Sequence, residues 1–187
     1  MRANGKARNL FIFVSCGVIA AAAFYFSAQM LVSGKDAAYL TETRALDAVM
    51  LVGEFLMMAL VIYFGVKFKK YYVALLSAAQ TALIAWTELS GGPAEESAHI
   101  LADRLTVIMC LIIGVVGTLI CVYAVGYMKD YHAHHGEFRD RRAFFFAMLF
   151  VFLGAMFGLV FSSGLTWIYF FWEITSLCSF LLIGYNQ

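Results

Sequence analysis

Six apolar segments alternate with short polar segments along the 187-residue chain. None shows the alternation of apolar and polar residues, about ten at a time, that is typical of a membrane-spanning strand. Because a helix satisfies its own backbone hydrogen bonds in lipid, and about 20 residues cross the hydrocarbon core, the pattern predicts an all-α, polytopic transmembrane helix bundle of about six helices. The predicted spans are 9–33, 46–66, 72–88, 104–128, 143–162 and 166–184.

Composition agrees with a lipid bilayer as the surroundings. The chain is 63% hydrophobic and 13% charged, with a mean hydropathy of +0.83, whereas soluble domains average about 45–50% apolar and about 25% charged residues. The net charge of +1 indicates no nucleic-acid partner. No cofactor is expected on this chain, because it has no glycine-rich phosphate loop, no cysteine cluster and no histidine inside a span. The cysteines are interpreted as small buried hydrophobes.

Basic residues predict the orientation. The first span is too long for a signal-peptide core, so it is interpreted as a retained helix. With six spans, ten of the 13 lysines and arginines fall on the side of the N-terminus and three on the other. Cytoplasmic segments carry such an excess. We therefore expect a multi-pass protein of the cell membrane with both termini cytoplasmic. Without the weakly apolar third span, the orientation of everything after it would invert.

Glu173 is the first candidate functional residue, because it lies in the middle of the last apolar span. A charged side chain at the bilayer centre costs at least about 2.5–3.5 kcal/mol, and such residues usually mark ion or proton paths or paired charges. At about 100° per residue, other polar side chains share its face, which is roughly 160° wide. They are Trp172, Thr175, Ser176 and Ser179. The alternative role for Glu173 is a neutral acid that joins helices by hydrogen bonds.

Two further acids were considered. Glu54 also lies about midway along its span, but its neighbours at positions 50, 51, 57 and 58 are methionine and leucine. It is a second relay candidate, and helix contact is the alternative. Asp103 precedes Arg104 at the start of the fourth span. A structural role as the N-cap of that helix is preferred, since an aspartate there suits the helix dipole.

The histidine-rich stretch 131–142, "YHAHHGEFRDRR", raises the possibility of a metal site. Its candidate ligands are His132, His134, His135 and Glu137. The His-x-His-His spacing is not one of the usual zinc spacings. No metal is therefore expected, and the stretch is interpreted as a solvated cytoplasmic loop.

Three pieces in order resemble the antiporter-like, proton-translocating subunits of respiratory complex I. They are "ADRLTVIMCLIIGVVGTLICVYAVGYM" (102–128), "RRAFFFAMLFVFLGAMFGLVFSSGLTWIYFFWE" (141–173) and "WEITSLCSFLLIGY" (172–185). The resemblance is greatest to the N-terminal portion of the largest such subunit. The superfamily also includes subunits of Mrp-type cation/proton antiporters and of energy-converting membrane-bound hydrogenases.

The resemblance implies a partner for Glu173. In the family, the matching glutamate pairs with a lysine on a later helix, and their changing interaction is thought to drive ion transfer. No lysine lies inside an apolar span here, and the family continues through further helices. We therefore expect either a naturally split or a truncated subunit. Its partners would be other membrane subunits of a multi-subunit complex, including helices that bear an intramembrane lysine.

The resemblance also implies the organisation of the chain. Residues 1–187 form a single membrane domain in this interpretation. The family usually has two helices before its Asp-x-Leu helix, so 46–88 supplies those two, 9–33 is an extra N-terminal helix, and the family core begins in 100–187.

Three functions remain open. The leading hypothesis is a membrane subunit that couples redox chemistry or antiport to the transport of protons or sodium through an intramembrane glutamate. It would have no catalysis of its own and would belong to an oxidoreductase complex of the NADH/quinone or hydrogenase type. A non-conducting assembly or scaffold subunit is the alternative. A small membrane enzyme with Glu173 as general base is the third, and no nucleophile–base pair supports it.

Overall fold

The computed structural model describes residues 5–34, 37–39, 44–89, 100–134 and 141–186. Their elements, in chain order, are α1 (Gly5–Ser33), β1 (Ala37–Tyr39), α2 (Arg44–Lys67), α3 (Tyr71–Leu89), β2 (Ile100–Ala102), α4 (Arg104–Ile112), a π-helical turn (Ile113–Gly117), α5 (Thr118–His134), α6 (Arg142–Phe161), α7 (Leu165–Ile183) and a 3-10 turn (Gly184–Asn186).

The predicted all-α class is confirmed, with six helices when α4, the π turn and α5 are counted as one. Within the described residues, four helices are long and apolar enough to cross a membrane, and the apolar part of α7 is shorter. The four are Lys6–Ser33, Val49–Lys67, Arg104–Tyr131 and Arg142–Phe161. The chain is therefore a multi-pass membrane protein. The fourth helix continues to His134 rather than ending at 128, because its backbone hydrogen bonds extend beyond the apolar residues.

The described elements form two compact units, one of them the α2–α3 hairpin. Its turn ends α2 with hydrogen bonds from Lys70 N to Gly65 O (2.8 Å) and from Lys69 N to Val66 O (3.0 Å). This is the pattern of a Schellman motif. Lys69 occupies the left-handed position that usually takes glycine, with φ 56°. An added Cβ on Gly65 would lie 3.1 Å from Ala74 N. The bare Gly65 backbone therefore permits the close approach of α2 and α3 beside their turn.

The other unit is built around the α4–α5 helix. Helix α1 packs along it antiparallel, since Ala23 lies beside Gly114 and Cys16 shares a buried cluster with Cys121. Residues of α1, α5 and α6 share one buried cluster, formed by Ile12, Cys16, Cys121, Ala124, Met128 and Phe146. An added Cβ on Gly114 would lie 2.4 Å from the Ala23 Cβ, and one on Gly117 would lie 2.3 Å from Leu153 Cδ1 of α6. Helix α1, predicted as an N-terminal extra, is thus part of the core of this unit.

Both of these glycines belong to the π turn, Ile113–Gly117. A π turn shifts the i→i−4 hydrogen-bond ladder by one residue and disturbs its pairing. The buried Thr118 hydroxyl lies 2.6 Å from Gly114 O and 3.0 Å from Val115 O, and donates to these carbonyls. A side chain of α5 therefore supplies a hydrogen bond at a buried place where the helix is irregular.

A small antiparallel β-ribbon joins chain segments that were expected to be loops. β1 pairs with β2 in the register Ala37↔Ala102, Ala38↔Leu101 and Tyr39↔Ile100. A further bridge links Ile100 to Ser162 at the end of α6. The ribbon thus ties together the end of α1, the start of α4 and the end of α6. Three-residue strands give no readable hydrophobic pattern, which is why the sequence did not predict them.

The contact between Gly114 and Ala23 generates a stability prediction. In Gly114→Ala, two Cβ atoms fixed to backbone would overlap, so α1 has to move away from α4. We expect a loss of about 1–3 kcal/mol, typical of overpacking. Thermal unfolding in detergent would measure it. A lower yield of Cys16–Cys121 cross-linking, with Cys110 and Cys178 replaced by alanine, would locate the change.

The control is Gly126→Ala in the same helix, where an added Cβ meets no atom within 4 Å. Equal unfolding temperatures for the two variants would contradict the packing of α1 on α4.

Candidate functional site

Glu173 lies near the middle of α7, about 12 Å along a helix about 28 Å long. Its carboxylate Oε1 accepts a hydrogen bond from the Tyr169 hydroxyl at 2.5 Å. Helical side chains lean toward the N-terminus of their helix, so a carboxylate at position i reaches back to the side chain at i−4. Both residues are half-buried. The carboxylate and phenol form a polar pair within a helix that is otherwise largely apolar.

The three hydroxyls expected beside Glu173 donate to the backbone of α7 instead. Thr175 Oγ1 and Ser176 Oγ donate to Trp172 O at 2.7 and 3.1 Å, and Ser179 Oγ donates to Thr175 O at 2.8 Å. A hydroxyl in an apolar helix often finds its acceptor one turn back. Each hydroxyl has one proton, so these three do not donate to the Glu173 carboxylate. The Trp172 side chain is 63% exposed.

Tyr169 was missed by the sequence analysis, although a signal for it was present. It lies four residues before Glu173, and residues at this spacing are neighbours on a helix surface. Because helical side chains lean toward the N-terminus of their helix, a side chain one turn before Glu173 lies within reach of its carboxylate.

The α6–α7 hairpin determines the direction in which Glu173 points. The Phe171 ring lies against Gly158 of α6, where an added Cβ would come within 2.4–2.6 Å of three ring atoms. Trp167 and Cys178 are buried on the same side of α7. At about 100° per residue, Tyr169 and Glu173 lie roughly 160–200° from Phe171. Glu173 therefore lies on the side of α7 opposite Phe171, here called the outer face, but its second carboxylate oxygen, Oε2, is itself buried.

That outer face continues beyond Glu173. Ser176 is exposed, and Phe180 and Ile183 are 71% and 85% exposed. The exposed surface of this part of α7 is thus mainly apolar, while the Glu173 Oε2 atom is buried.

Glu54 occupies a different environment. Its side chain is only 2% exposed, on the same buried stripe of α2 as Met50 and Met58. Across the hairpin, the Thr81 hydroxyl of α3 lies 2.9 Å from Met58 Sδ and 2.8 Å from Ser77 O. Continuing this register by one turn puts Glu54 level with Ala85.

The residues near Glu54 on its own helix are apolar, as the sequence indicated, but α3 adds the Thr81 hydroxyl one turn away and the Ser77 hydroxyl two turns away. Ser77 and Thr81 are four residues apart on α3, and that spacing was the available signal for a polar stripe.

Asp103 is the N-cap of α4. Its Oδ1 accepts from Thr106 N at 2.7 Å and from Thr106 Oγ1 at 2.9 Å. These two bonds, the backbone one first, hold the pKa of the Asp103 carboxyl below its ordinary value of 3.8. The carboxylate thus stabilises the start of the helix that carries Gly114 and Gly117.

The histidine-rich stretch lies largely outside the described residues. His132 and His134 are in α5, but only their backbone is described, and His135 and Glu137 fall in the gap 135–140. Among the residues that the structure describes, no group of three or more His, Cys, Asp or Glu side chains could hold a metal ion.

The fold defines a multi-pass helical membrane protein, and comparison with known proteins identifies its relatives. Residues 86–139 match the family described as "NADH-Ubiquinone oxidoreductase (complex I), chain 5 N-terminus". The chloroplastic NAD(P)H-quinone oxidoreductase subunit 5 of Poa pratensis is 46% identical over 85 residues, which is 46% of this chain and 11% of that protein. Those of Lolium perenne and Pentatrichia integra are 46% and 45% identical over the same length, 10% of each protein.

These matches confirm the resemblance to the N-terminal part of an antiporter-like complex I subunit. The chain spans about a tenth of the length of the curated relatives it matches. No solved structure matches the chain.

The cap on α4 generates a pH prediction. The folded-state pKa of Asp103 lies below its value in the unfolded chain. The cap therefore contributes stability above the unfolded-state pKa, and that stability is lost as pH falls through the folded-state pKa. We expect the unfolding temperature of the protein in detergent to fall between neutral pH and about pH 3.

Asp103→Asn retains an accepting oxygen and should reduce this pH dependence, since asparagine is also a good N-cap. Asp103→Ala should lower the unfolding temperature already at neutral pH. An unchanged pH profile in Asp103→Asn would show that other groups cause the acid sensitivity.

Proposed function

We propose that this chain is a membrane subunit of an energy-converting complex that moves protons or sodium ions, and that Glu173 takes part in the ion transfer. The observation that carries the proposal is a carboxylate in the middle of α7, on the side opposite Phe171. Its insertion costs at least about 2.5–3.5 kcal/mol on insertion scales, so a role in ion transfer accounts for it better than one in packing. The similarity to complex I subunit 5 supports the same function.

The similarity to complex I subunit 5 supports a partner on another membrane subunit. A cation near a carboxylate favours its charged form, and withdrawal of the cation from a desolvated site favours proton uptake. A helix that carries a lysine and packs on the outer face of α7 would supply such a cation. In the described membrane helices, lysine and arginine occur only toward the helix ends. The lysine would therefore come from helices other than these.

Glu54 is proposed as a second ion-relay residue. It is buried within an apolar stripe of α2, and the α3 hydroxyls of Ser77 and Thr81 lie on the facing helix. A carboxyl buried within an apolar membrane helix is costly to place there and is therefore typical of a functional acid. The alternative is that Glu54 only stabilises the hairpin.

The proposed orientation has both termini in the cytoplasm of a cell membrane. The ten-to-three distribution of basic residues supports it. The ribbon gives independent support for the number of crossings, because β1 and β2 must lie on one side to pair. The chain between them can then cross the membrane only an even number of times. Helices α2 and α3 together satisfy this requirement, whereas α2 alone does not.

A variant of Glu173 tests the ion-transfer role. Glu173→Gln keeps the shape and the hydrogen-bonding capacity but removes the titratable proton. In proteoliposomes of the whole purified complex, with subunit content checked, we expect ion uptake to fall roughly 100-fold or more, the range for loss of a proton-transfer group.

The matched control is Glu96→Gln, in the acidic segment between α3 and β2. Full uptake by an intact Glu173→Gln complex would refute the relay role and favour the non-conducting scaffold, in which an amide and a neutral acid act alike. Ion uptake by a Glu54→Gln complex in the same assay shows whether transport also depends on Glu54.

Labelling of introduced cysteines tests the orientation. With native cysteines replaced, we expect cysteines at Lys6 and His134 to react from the cytoplasmic side and one at Gly92 from the other. The reagent should be membrane-impermeant and applied to intact cells and to inverted vesicles. Reaction of positions 92 and 134 from the same side would contradict the six-helix count.

A further inference from the structure

The hydrogen bond between Tyr169 and Glu173 links the carboxylate to one fixed donor on its own helix. Its length of 2.5 Å is at the short end of the range of about 2.5–2.7 Å for a hydroxyl that donates to a charged carboxylate. Glutamate has three rotatable side-chain bonds, so a hydrogen bond from a rigid donor restricts the positions that its carboxylate can take.

The anchoring of α7 makes this donor rigid. Phe171 lies against Gly158, and its ring meets that of Phe170 edge-on with centroids 5.5 Å apart. Helix α7 is thereby fixed in rotation on α6, and Tyr169 has only two rotatable bonds between its backbone and its ring. The phenol oxygen therefore occupies a nearly fixed point, one turn closer to the α6–α7 turn than Glu173.

We propose that Tyr169 is the positioning residue of the Glu173 site. It holds Oε1 on the side of the α6–α7 turn and leaves the carboxylate in one orientation toward the partner helix. This inference rests on the proposed role of Glu173 in ion transfer. Tyr169 itself neither gains nor loses a proton in this role. It keeps the distance between the carboxylate and its cation constant, and a shift of about 1 Å in such a distance can strongly reduce a transfer rate.

The test is Tyr169→Phe in the whole complex, reconstituted in proteoliposomes. Removal of one hydrogen bond to a charged group should lower ion uptake roughly tenfold, less than Glu173→Gln does. In the Glu173→Gln background, the same change should cause no further loss, because Tyr169 acts through the carboxylate. The matched control is Tyr123→Phe on α5, whose side chain is exposed; it should leave uptake unchanged.

Infrared spectroscopy gives a readout that a packing role would not move. The carboxyl band of Glu173 is identified in acid-minus-neutral difference spectra by its loss in Glu173→Gln. In Tyr169→Phe, it should shift to higher wavenumber, because a C=O group that loses a hydrogen bond stretches at higher frequency. The shift should be absent in Tyr123→Phe.

The outcomes separate the two proposals. If Glu173→Gln abolishes uptake but Tyr169→Phe changes neither uptake nor the band, the positioning role is wrong and the ion-transfer role stands. Lower uptake in Tyr169→Phe with an unmoved band, or an additive loss in the double variant, also overturns positioning. If Glu173→Gln pumps normally, the proposed function fails, and the positioning role fails with it.

Discussion

The close approach of α1 to the α4–α5 helix, permitted by the bare backbone of Gly114 beside Ala23, is the contact on which the larger unit depends. In a membrane, helices gain little from the hydrophobic effect when they associate, so close van der Waals packing over small residues does most of the work. A second glycine, Gly117, receives Leu153 of α6 a turn later. The α4–α5 helix thus accepts a neighbour on two sides within a few residues, and the π turn lies where both contacts converge.

The order of these contacts explains how the candidate site is positioned. Helix α6 is held by Gly117, and α7 is held on α6 by the fit of Phe171 against Gly158. The rotation of α7 then follows, and with it the side of the helix that carries Glu173. The two acids differ in burial. Glu54 is only 2% exposed within its hairpin, whereas Glu173 is half-buried, with its Oε2 atom buried.

Much of the fold was predictable, because hydropathy reports directly on which segments lie in lipid. The helices appear close to the predicted spans, including the weakly apolar third. Hydropathy does not report on which helices touch, so the central place of α1 was missed, and the sequence suggested only an extra element. The ribbon was missed because three residues are too few for a pattern.

At the candidate site, the sequence identified Glu173 and its position midway along an apolar helix. Both can be read from hydropathy alone. It did not identify Tyr169 as its hydrogen-bond donor, nor that Thr175 and Ser179 donate to the backbone, because both depend on side-chain rotamers. The N-cap role of Asp103 was easier to predict, because the aspartate and the amide that it accepts from lie within four consecutive residues.

The ribbon also makes the α2–α3 hairpin a separable module. The two strands of the ribbon, β1 before the hairpin and β2 after it, pair with each other, and the bridge from Ile100 to Ser162 extends this junction to α6. A pair of helices that crosses the membrane twice begins and ends on the same side. Such a pair can be gained or lost without inverting the orientation of the other helices. Evolution could therefore add, exchange or delete α2 and α3 as a cassette, while α1 and α4–α7 keep their orientation and the face that carries Glu173 stays where it is.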